Sequence, residues 1–493
     1  MRTSESHPLQ IAVVRPRPKY GAIGITFCPG KKQPTAMTGG WDRSLDLDLD
    51  AIRDWGAAAI VTLVEAHELA TLKVGDIEQA TRTRAMAWYH LPITDVSVPT
   101  AAFEAEWAVV GEQLRARLRC GFNVLVHCKG GLGRAGVVAA RLLIELGTAP
   151  AAAVAAVRKA RPGAIETSGQ QNYVLALGEA STPVPDTSAA AIRDRARGAL
   201  VGLAVGDAVG TTLEFKSRDT YPLLTDMIGG GPFKLKPGEW TDDTAMALAL
   251  ADSLIASDGL DEADLMRRFV DWHEQGTYSC TGRCFDIGIT TRAALSRWKK
   301  TGVAHAGATA PDTAGNGSLM RLAPVAVRYW NDHDTRRDVA ARQSKTTHGA
   351  PEAVDACVAY ADRLAEAIAG GPCSDVLRPR DEAFAGSIGG IVAGSWRGKL
   401  RPAIKASGYV AHSLEASLWS VARTGTYEDA VLLAANLGDD ADTTAAITGQ
   451  LAGALYGEAG IPEHWRMRVA WSERIRTMAD GLMAHSGLTE DNG

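Results

Sequence analysis

NVLVHCKGGLGRAGVVAARLLIELG, residues 123 to 147, changes character twice in 25 positions. An apolar run ending in His127-Cys128 reads as a buried strand, Lys129 to Gly133 reads as a tight turn, and an apolar helix follows from Arg134 to Gly147. Strand, glycine-rich turn and helix in this order build an anion nest. Successive backbone N–H groups point inward, the glycines keep side chains out of their path, and the helix dipole favours negative charge. The same field favours the thiolate form of Cys128. Arg134 adds a planar, bidentate donor suited to two phosphate oxygens. Lys129, Gly130, Gly131 and Gly133 are therefore candidate phosphate-binding positions. A buried cysteine ahead of a plain turn would account for neither the arginine nor its spacing.

The neighbouring sequence places this loop in an α/β sheet. Ala57 to Val64 and Ala85 to Ile93 read as buried strands, and Phe103 to Cys120 has helical periodicity. AAAVAAVRKARPG is a second helix after the loop, and alternating strand and helix implies a sheet with helices on its faces. STPVPDTS (181–188) is rich in proline and hydroxyl residues and reads as a linker. From Ala189 to the end at 493 the chain is alanine-rich, helical and free of a strand series. The expectation is an α/β domain over 1–180, a linker, and an all-α domain over 189–493. There is no short-period repeat.

The bulk numbers agree with two domains, since 493 residues exceed what one core usually serves. With 46% hydrophobic and 22% charged residues the composition is that of a soluble globular protein. A net charge of −5 without a basic block argues against nucleic acid or a membrane surface as a partner. Neither a signal-like amino terminus nor an apolar run of spanning length is present, so a cytoplasmic location is expected. Seven scattered cysteines fit a reducing compartment, and Cys280 and Cys284 lack the second pair that structural zinc needs. Aromatic residues are 6%, which gives no sign of an obligate oligomer.

The loop 127–136 resembles the C-x5-R loop of the cysteine-dependent protein phosphatases. The first 180 residues resemble the dual-specificity branch, and GGLGR is similar to the phosphatases that act on cyclin-dependent kinases. The resemblance implies Cys128 as nucleophile and Arg134 as phosphate clamp. It implies Asp95, 33 residues before Cys128 in LPITDVSVP, as the acid that protonates the leaving oxygen. It implies Gln170 as the residue that positions water, with Gln171 as competitor, and a phosphorylated substrate. The departure is Ala135, where the family carries Ser or Thr to donate a hydrogen bond to the departing sulfur. Losing one such donor costs about 10²-fold or more in rate. The expectation is a phosphocysteine that forms and then breaks down slowly, or a domain that binds phosphate without turnover.

Two acidic clusters mark the second domain. In GEWTDDTAMALALADSL, Thr241 looks like a helix N-cap with Asp242 and Asp243 in the first turn; NLGDDADTTAAITGQLAGA repeats the arrangement with Asp439, Asp440, Asp442 and Thr443. First-turn acids favour the helix dipole, so capping is the bland explanation. Adjacent aspartates also repel, and one cap needs only one. Cations held between the clusters explain both, and an all-oxygen ligand set selects Mg2+ or Mn2+ over zinc. Asp440 and Thr443, three apart, can share a helical face.

The second domain, from about Ile192 to Glu458, resembles the ADP-ribosylglycohydrolases related to the dinitrogenase reductase activating glycohydrolase. The resemblance rests on GLAVGDAVGTTLEF, WTDDTAMAL, GNGSLMRLAPVAV, THGAPEAVDACVAYADRLAEAI, SGYVAHSLEASLW and NLGDDADTTAAITGQLAGALYG, in that order. It implies two divalent cations held by Thr241, Asp242, Asp243, Asp440, Asp442 and Thr443. Glu214 is expected at the site entrance, and Asp243 or Glu214 is expected to handle protons. Gly315, Asn316, Gly317 and Ser318 would form a pyrophosphate loop, with Ser407, Gly408 and Tyr409 near the ribose and its phosphates. His348 would line the site or cap a helix, and Asp207 would be structural. The implied reaction hydrolyses the glycosidic bond of an ADP-ribosylated protein or ADP-ribose derivative and releases ADP-ribose. Arginine-, serine- and nucleotide-linked substrates all remain open at this point, as does another N-glycoside or simple retention of ADP-ribose. The fusion also suggests a shared target, or ADP-ribose carrying an extra phosphate.

Overall fold

The computed structural model describes residues 1–36, 39–181 and 184–484. Two compact units divide the chain, Met1–Pro183 and Val184–Gly493. Thr182 and Pro183 of the expected linker, and the last nine residues of the expected second domain, lie outside the described residues.

The first unit holds strands β1 (Ala12–Val14), β2 (Ile23–Phe27), β3 (Lys32–Gln33), β4 (Trp41–Asp42), β5 (Ala57–Thr62), β6 (Ala87–His90) and β7 (Asn123–Cys128). Five of them form one sheet in the order β1-β2-β7-β5-β6, parallel except for the edge strand β1. The central strands are buried along their whole length in β2 and β5, as a sheet covered on both faces requires. Helices α1 (Leu45–Asp54), α2 (Ala66–Thr71), α3 (Ile77–Arg82), α4 (Ala101–Arg119), α5 (Gly133–Glu145), α6 (Pro150–Ala160) and α7 (Ser168–Leu175) complete the unit. All thirteen residues of α5 are buried, which its apolar sequence permits on every side. The strand expected over Ala57–Val64 stops at Thr62, although Leu63 N–H still reaches His127 carbonyl at 3.1 Å. The strand expected over Ala85–Ile93 shortens to Ala87–His90, and Ala85 precedes it in the left-handed region at φ 54°. The helix expected from Phe103 starts at Ala101, because the Thr100 hydroxyl caps it by accepting from Phe103 N–H. Cys128 thus ends the central strand at the carboxyl edge of the parallel strands, where α/β sheets bind ligands.

The second unit has no strand among the described residues, only isolated bridges. Its helices are α8 (Ala189–Gly210), α9 (Asp242–Ala256), α10 (Glu262–Gln275), α11 (Ile289–Thr301), α12 (Ala323–Arg328), α13 (His333–Thr347), α14 (Pro351–Ile368), α15 (Cys373–Val376), α16 (Ile388–Val392), α17 (Val410–Arg423), α18 (Tyr427–Ala435), α19 (Ala441–Tyr456), α20 (Glu463–Arg468) and α21 (Ser472–Ala484). The pair that positions the site is α8 and α19. Gly198, Gly202, Gly206 and Gly210 recur every fourth residue along one ridge of α8 and face Gly453, Gly449, Ala445 and Ala441 of α19. A Cβ on Gly206 would lie 2.3 Å from the Ala445 carbonyl oxygen, so the two backbones touch. Glycine in a helix costs about 1 kcal/mol relative to alanine, and the close contact offsets it. The consequence is that the carboxyl end of α8 lies against the start of α19. No helix among the described residues is long and apolar enough to cross a membrane.

Candidate functional site

Asp207 near the end of α8 and Glu214 just beyond it meet the first turns of α9 and α19. Asp207 accepts hydrogen bonds from Thr241 N–H and hydroxyl at 2.9 Å, and from Thr244 N–H and hydroxyl at 3.1 and 2.6 Å. Glu214 Oε2 accepts from Ala441 N–H at 2.8 Å and Asp442 N–H at 3.3 Å. The amino ends of both acid-bearing helices are therefore capped by carboxylates from elsewhere in the chain. Thr241 occupies the N-cap position of α9, but its hydroxyl bonds Asp207 and makes no cap bond to its own helix.

That arrangement leaves the helices' own aspartates without a capping task. Carboxylate oxygens of Asp207, Asp243 and Asp442 lie within 4.8 Å of one another, as do those of Glu214, Asp440 and Asp442. Thr241 and Thr443 hydroxyls approach Asp243 Oδ2 at 3.3 and 3.4 Å. Asp243 Oδ1 is buried with no hydrogen-bond partner. Burial and the charge of Asp442 push Asp207 and Asp440 up to about 7. Burial pushes Asp442 up to about 6 against the opposing bond from Glu214. Burial and repulsion drive Asp242, Asp243 and Glu214 well above the usual carboxylate range. Buried carboxylates that repel one another, with one oxygen of Asp243 lacking any donor, suit divalent cations. Asp439 is set apart: it is exposed, at φ 61°, with its backbone paired to Phe215 and Lys216.

Two of the expected substrate loops reach this cluster. Asn316 Nδ2 donates to Asp440 Oδ2 at 2.6 Å and to Ser413 Oγ at 2.8 Å, and Asn316 N–H donates to the Gly408 carbonyl at 3.1 Å. Gly315 pairs with Tyr409, and a Cβ on Gly408 would lie 3.6 Å from Asp440 Oδ2. Tyr409 hydroxyl donates to Glu352 at 2.6 Å, and Ser407 Oγ lies 2.7 Å from His412 Nδ1. Ser318 points elsewhere: it is fully buried, 2.8 Å from Ser344 Oγ. His348 is packed beneath the loop, where a Cβ on Gly317 would come within 2.7 Å of its ring. Burial and the Arg321 charge lower His348 to about 3, so it is neutral. Glu214, expected at the entrance, is buried. The sequence reading missed Asp286, whose carboxyl is pushed to about 7 by burial, with Asp207 and Asp440 adding to the rise. A lone aspartate in CFDIG offered no pattern to find it by.

The loop of the first unit is held from outside. Lys31 Nζ donates to the Lys129 carbonyl at 3.3 Å, and Arg161 donates to the carbonyls of Gly131 and Gly130 at 3.1 and 3.2 Å. In a trans peptide the N–H points opposite to the carbonyl, so these bonds turn the following N–H groups inward. One of them, Gly131 N–H, donates to Cys128 Sγ at 3.2 Å. Gly131 lies at φ 69°, and a Cβ there would sit 2.5 Å from the Thr26 backbone. Arg134 is buried and held by Glu68 at 2.5 and 3.1 Å and by the Ile93 carbonyl at 3.0 Å. Burial raises Glu68, but the Arg134 hydrogen bond, the Glu65 backbone bond and the charges of Arg134 and Lys129 together bring it below its usual value. Asp95 lies 3.0 Å from Arg134 on an exposed loop. Gln170 is buried, and a Cβ on Gly133 would lie 2.9 Å from its Nε2. Gln171 instead accepts from Arg158 at 3.0 Å. Lys31, Glu68 and Arg161 were not singled out from the sequence, because each acts from a separate element.

Comparison with known proteins places both units in known families. Residues 188–492 match the family model described as ADP-ribosylglycohydrolase, and residues 33–174 match one described as Swiss Army Knife protein, DSP-PTPase phosphatase domain. An ADP-ribosylarginine hydrolase, Tri1, of Pseudomonas putida is 48% identical over 289 residues, 59% of this chain and 78% of that protein. The ADP-ribosyl-(dinitrogen reductase) glycohydrolase of Rhodospirillum rubrum is 33% identical over 303 residues, 60% of this chain and 98% of that protein. A solved structure described as an ADP-ribosylglycohydrolase-related protein complex is 38% identical at a TM-score of 0.54, covering 60% of this chain and 99% of its own.

Proposed function

This chain belongs to the ADP-ribosylglycohydrolase family and is a hydrolase, and from that premise we propose that its second unit releases ADP-ribose from ADP-ribosylated arginine side chains. The observation that carries this reading is the meeting of Asp243, Asp440, Asp442 and Glu214 beside the loop of Gly315 and Asn316. The arginine linkage is favoured by the 48% identical relative, whose name specifies it. Two divalent cations, Mg2+ or Mn2+, held by Thr241, Asp242, Asp243, Asp440, Asp442 and Thr443, would supply Lewis acidity and charge neutralisation when bound. The chain's own residues do the rest. Asn316 orients Asp440, and Gly408 leaves room for the substrate beside it. Glu214, beside Asp440 and Asp442, transfers a proton at the glycosidic atom as positive charge develops on the ribose. Replacing Asp242 and Asp440 together is expected to abolish release of ADP-ribose from an ADP-ribosylated arginine peptide. Full activity in EDTA would refute the assignment.

For the first unit we infer cysteine-dependent hydrolysis of phosphomonoesters. Cys128 attacks phosphorus, Arg134 binds two phosphate oxygens, Asp95 protonates the leaving oxygen, and Gln170 positions the water of the second step. The N–H groups of 130–132, turned inward by the held carbonyls, complete the phosphate site. Ala135 favours a second reading, a phosphate-binding module without turnover. Stopped-flow assay with an aryl phosphate separates the two: a burst followed by slow turnover supports the enzyme, and binding without product supports the module. A phosphorylated, ADP-ribosylated protein in the cytoplasm is the substrate class that would use both units.

A further inference from the structure

Ala135 is fully buried at the position where a hydroxyl would assist the departing sulfur. A buried cation of the first unit holds the loop that carries that sulfur: Lys31 Nζ donates to the Lys129 carbonyl at 3.3 Å. Lys31 follows β2, is only 5% exposed, and lies just before the residues matched by the phosphatase-domain model. Its Nζ sits 4.8 Å from the ring centre of Phe27 and 4.6 Å from that of Trp41. Phe27 is the register partner of Cys128 across the β2–β7 ladder. The nearby buried carboxylate, Asp48, is already committed: it binds Arg43 at 2.7 and 2.8 Å and Gly30 N–H at 2.9 Å. No carboxylate pairs with Lys31 among the described residues. A buried ammonium without a counter-ion is costly, and such costs persist where they serve a site.

We propose that Lys31 takes over the task of the absent hydroxyl, holding the Cys128 loop and stabilising the thiolate released when phosphocysteine is hydrolysed. It is a positioning residue, acting through the Lys129 carbonyl and through its charge. The inference rests on the phosphatase reading of the first unit. In the step concerned, a water oxygen bonds to phosphorus and the P–S bond breaks, leaving its electron pair on Cys128 Sγ. The water's proton passes to the Asp95 carboxylate, and inorganic phosphate leaves. Negative charge thus gathers on a sulfur in a buried site, where a fixed positive charge has most effect. The groups that face Lys31 are the Cys28 and Cys128 thiols and the Arg43 and Arg161 guanidiniums. Burial is the chief cause that lowers Lys31 to about 8, with the two arginines adding to it and the thiols opposing it.

The test is rapid-quench kinetics on the full chain with p-nitrophenyl phosphate, resolving phosphoenzyme formation from breakdown. Lys31→Met is expected to slow breakdown at least about 10-fold more than formation. Ala135→Ser is expected to rescue breakdown in the Lys31→Met background, and to help less when Lys31 is present. Lys31→Arg should retain most of the rate. In the unmodified protein, breakdown should fall as pH rises through about 8, where the ammonium is lost. Equal slowing of both steps, or no rescue by the added hydroxyl, would reduce Lys31 to a structural lysine and overturn the proposal. If Lys31→Met does not fold, the Lys31→Arg variant and the pH profile decide it. Absence of any phosphoenzyme in the unmodified protein would instead remove the phosphatase reading, and the inference with it.

Discussion

Asp207 accepts both the backbone N–H and the hydroxyl of Thr241 at 2.9 Å, bridging α8 to the start of α9. This bond, with its counterpart from Glu214 to α19, explains why adjacent aspartates are tolerated in two first turns. Caps from outside each helix free the helix's own acids for cations.

Asp207→Asn is therefore expected to weaken both the cap and the response to metal. The amide oxygen still accepts from Thr241 and one repelling charge is removed, but the amide nitrogen replaces the oxygen that accepts from Thr244 N–H and hydroxyl, leaving a buried donor unpaired. Melting in EDTA should occur at a lower temperature than in the unmodified chain. In Mg2+ the variant should gain less from added cation. Equal cation-induced shifts in both proteins would show that Asp207 lies outside the cation site.

Stability without cations should fall as pH rises. Asp207, Asp286 and Asp440 reach about 7 and Asp442 about 6 in the folded chain. Unfolded aspartate titrates near ~3.9. Between these values the folded state holds protons that the unfolded state has released, so stability drops from about pH 4 through about pH 7. Divalent cations favour the ionised acids and should flatten or reverse the slope. Thermal melting at several pH values in EDTA and in Mg2+ measures this, and a melting temperature rising with pH in EDTA would contradict it.

Gly206→Ala should act through α19. Its Cβ would meet the Ala445 carbonyl oxygen at 2.3 Å, which neither helix can relieve without separating. A loss of about 1–3 kcal/mol is expected for such overpacking, together with weaker cation binding because Asp207 and Asp442 move apart. Calorimetry and cation titration check both effects. An unchanged melting profile would mean the contact yields easily.

Gly131→Ala should abolish aryl phosphate hydrolysis and leave ADP-ribose release intact. The φ of 69° alone costs a side chain about 1–2 kcal/mol. The contact with the Thr26 backbone adds to it, so the loop must open and the N–H to Cys128 is lost. Assaying both activities on one preparation is sufficient. Retained phosphate release would place the reactive conformation elsewhere.

The acid clusters, the C-x5-R loop and the helical stripes were legible because each is a short-range pattern, set by backbone geometry within one element. Asp440 does gather with Glu214 and Asp442, Thr443 hydroxyl lies 3.4 Å from Asp243, and Asp95 lies 3.0 Å from Arg134. The fate of individual groups was not legible. Ser318 belongs to a promising glycine loop yet turns into the core beside Ser344. Asp207 reads as structural and proves both a cap and a member of the acid cluster.

By itself the sequence determined an α/β unit ending a central strand at Cys128, a helical unit opening two helices with aspartates, and the families they resemble. Local periodicity and turn chemistry suffice for these. Only the tertiary structure decided which carboxylates cap and which stay free, that His348 supports a loop, and that Lys31 and Arg161 clasp the Cys128 loop. Those outcomes depend on burial and on contacts between residues up to 228 positions apart, and no local pattern encodes them.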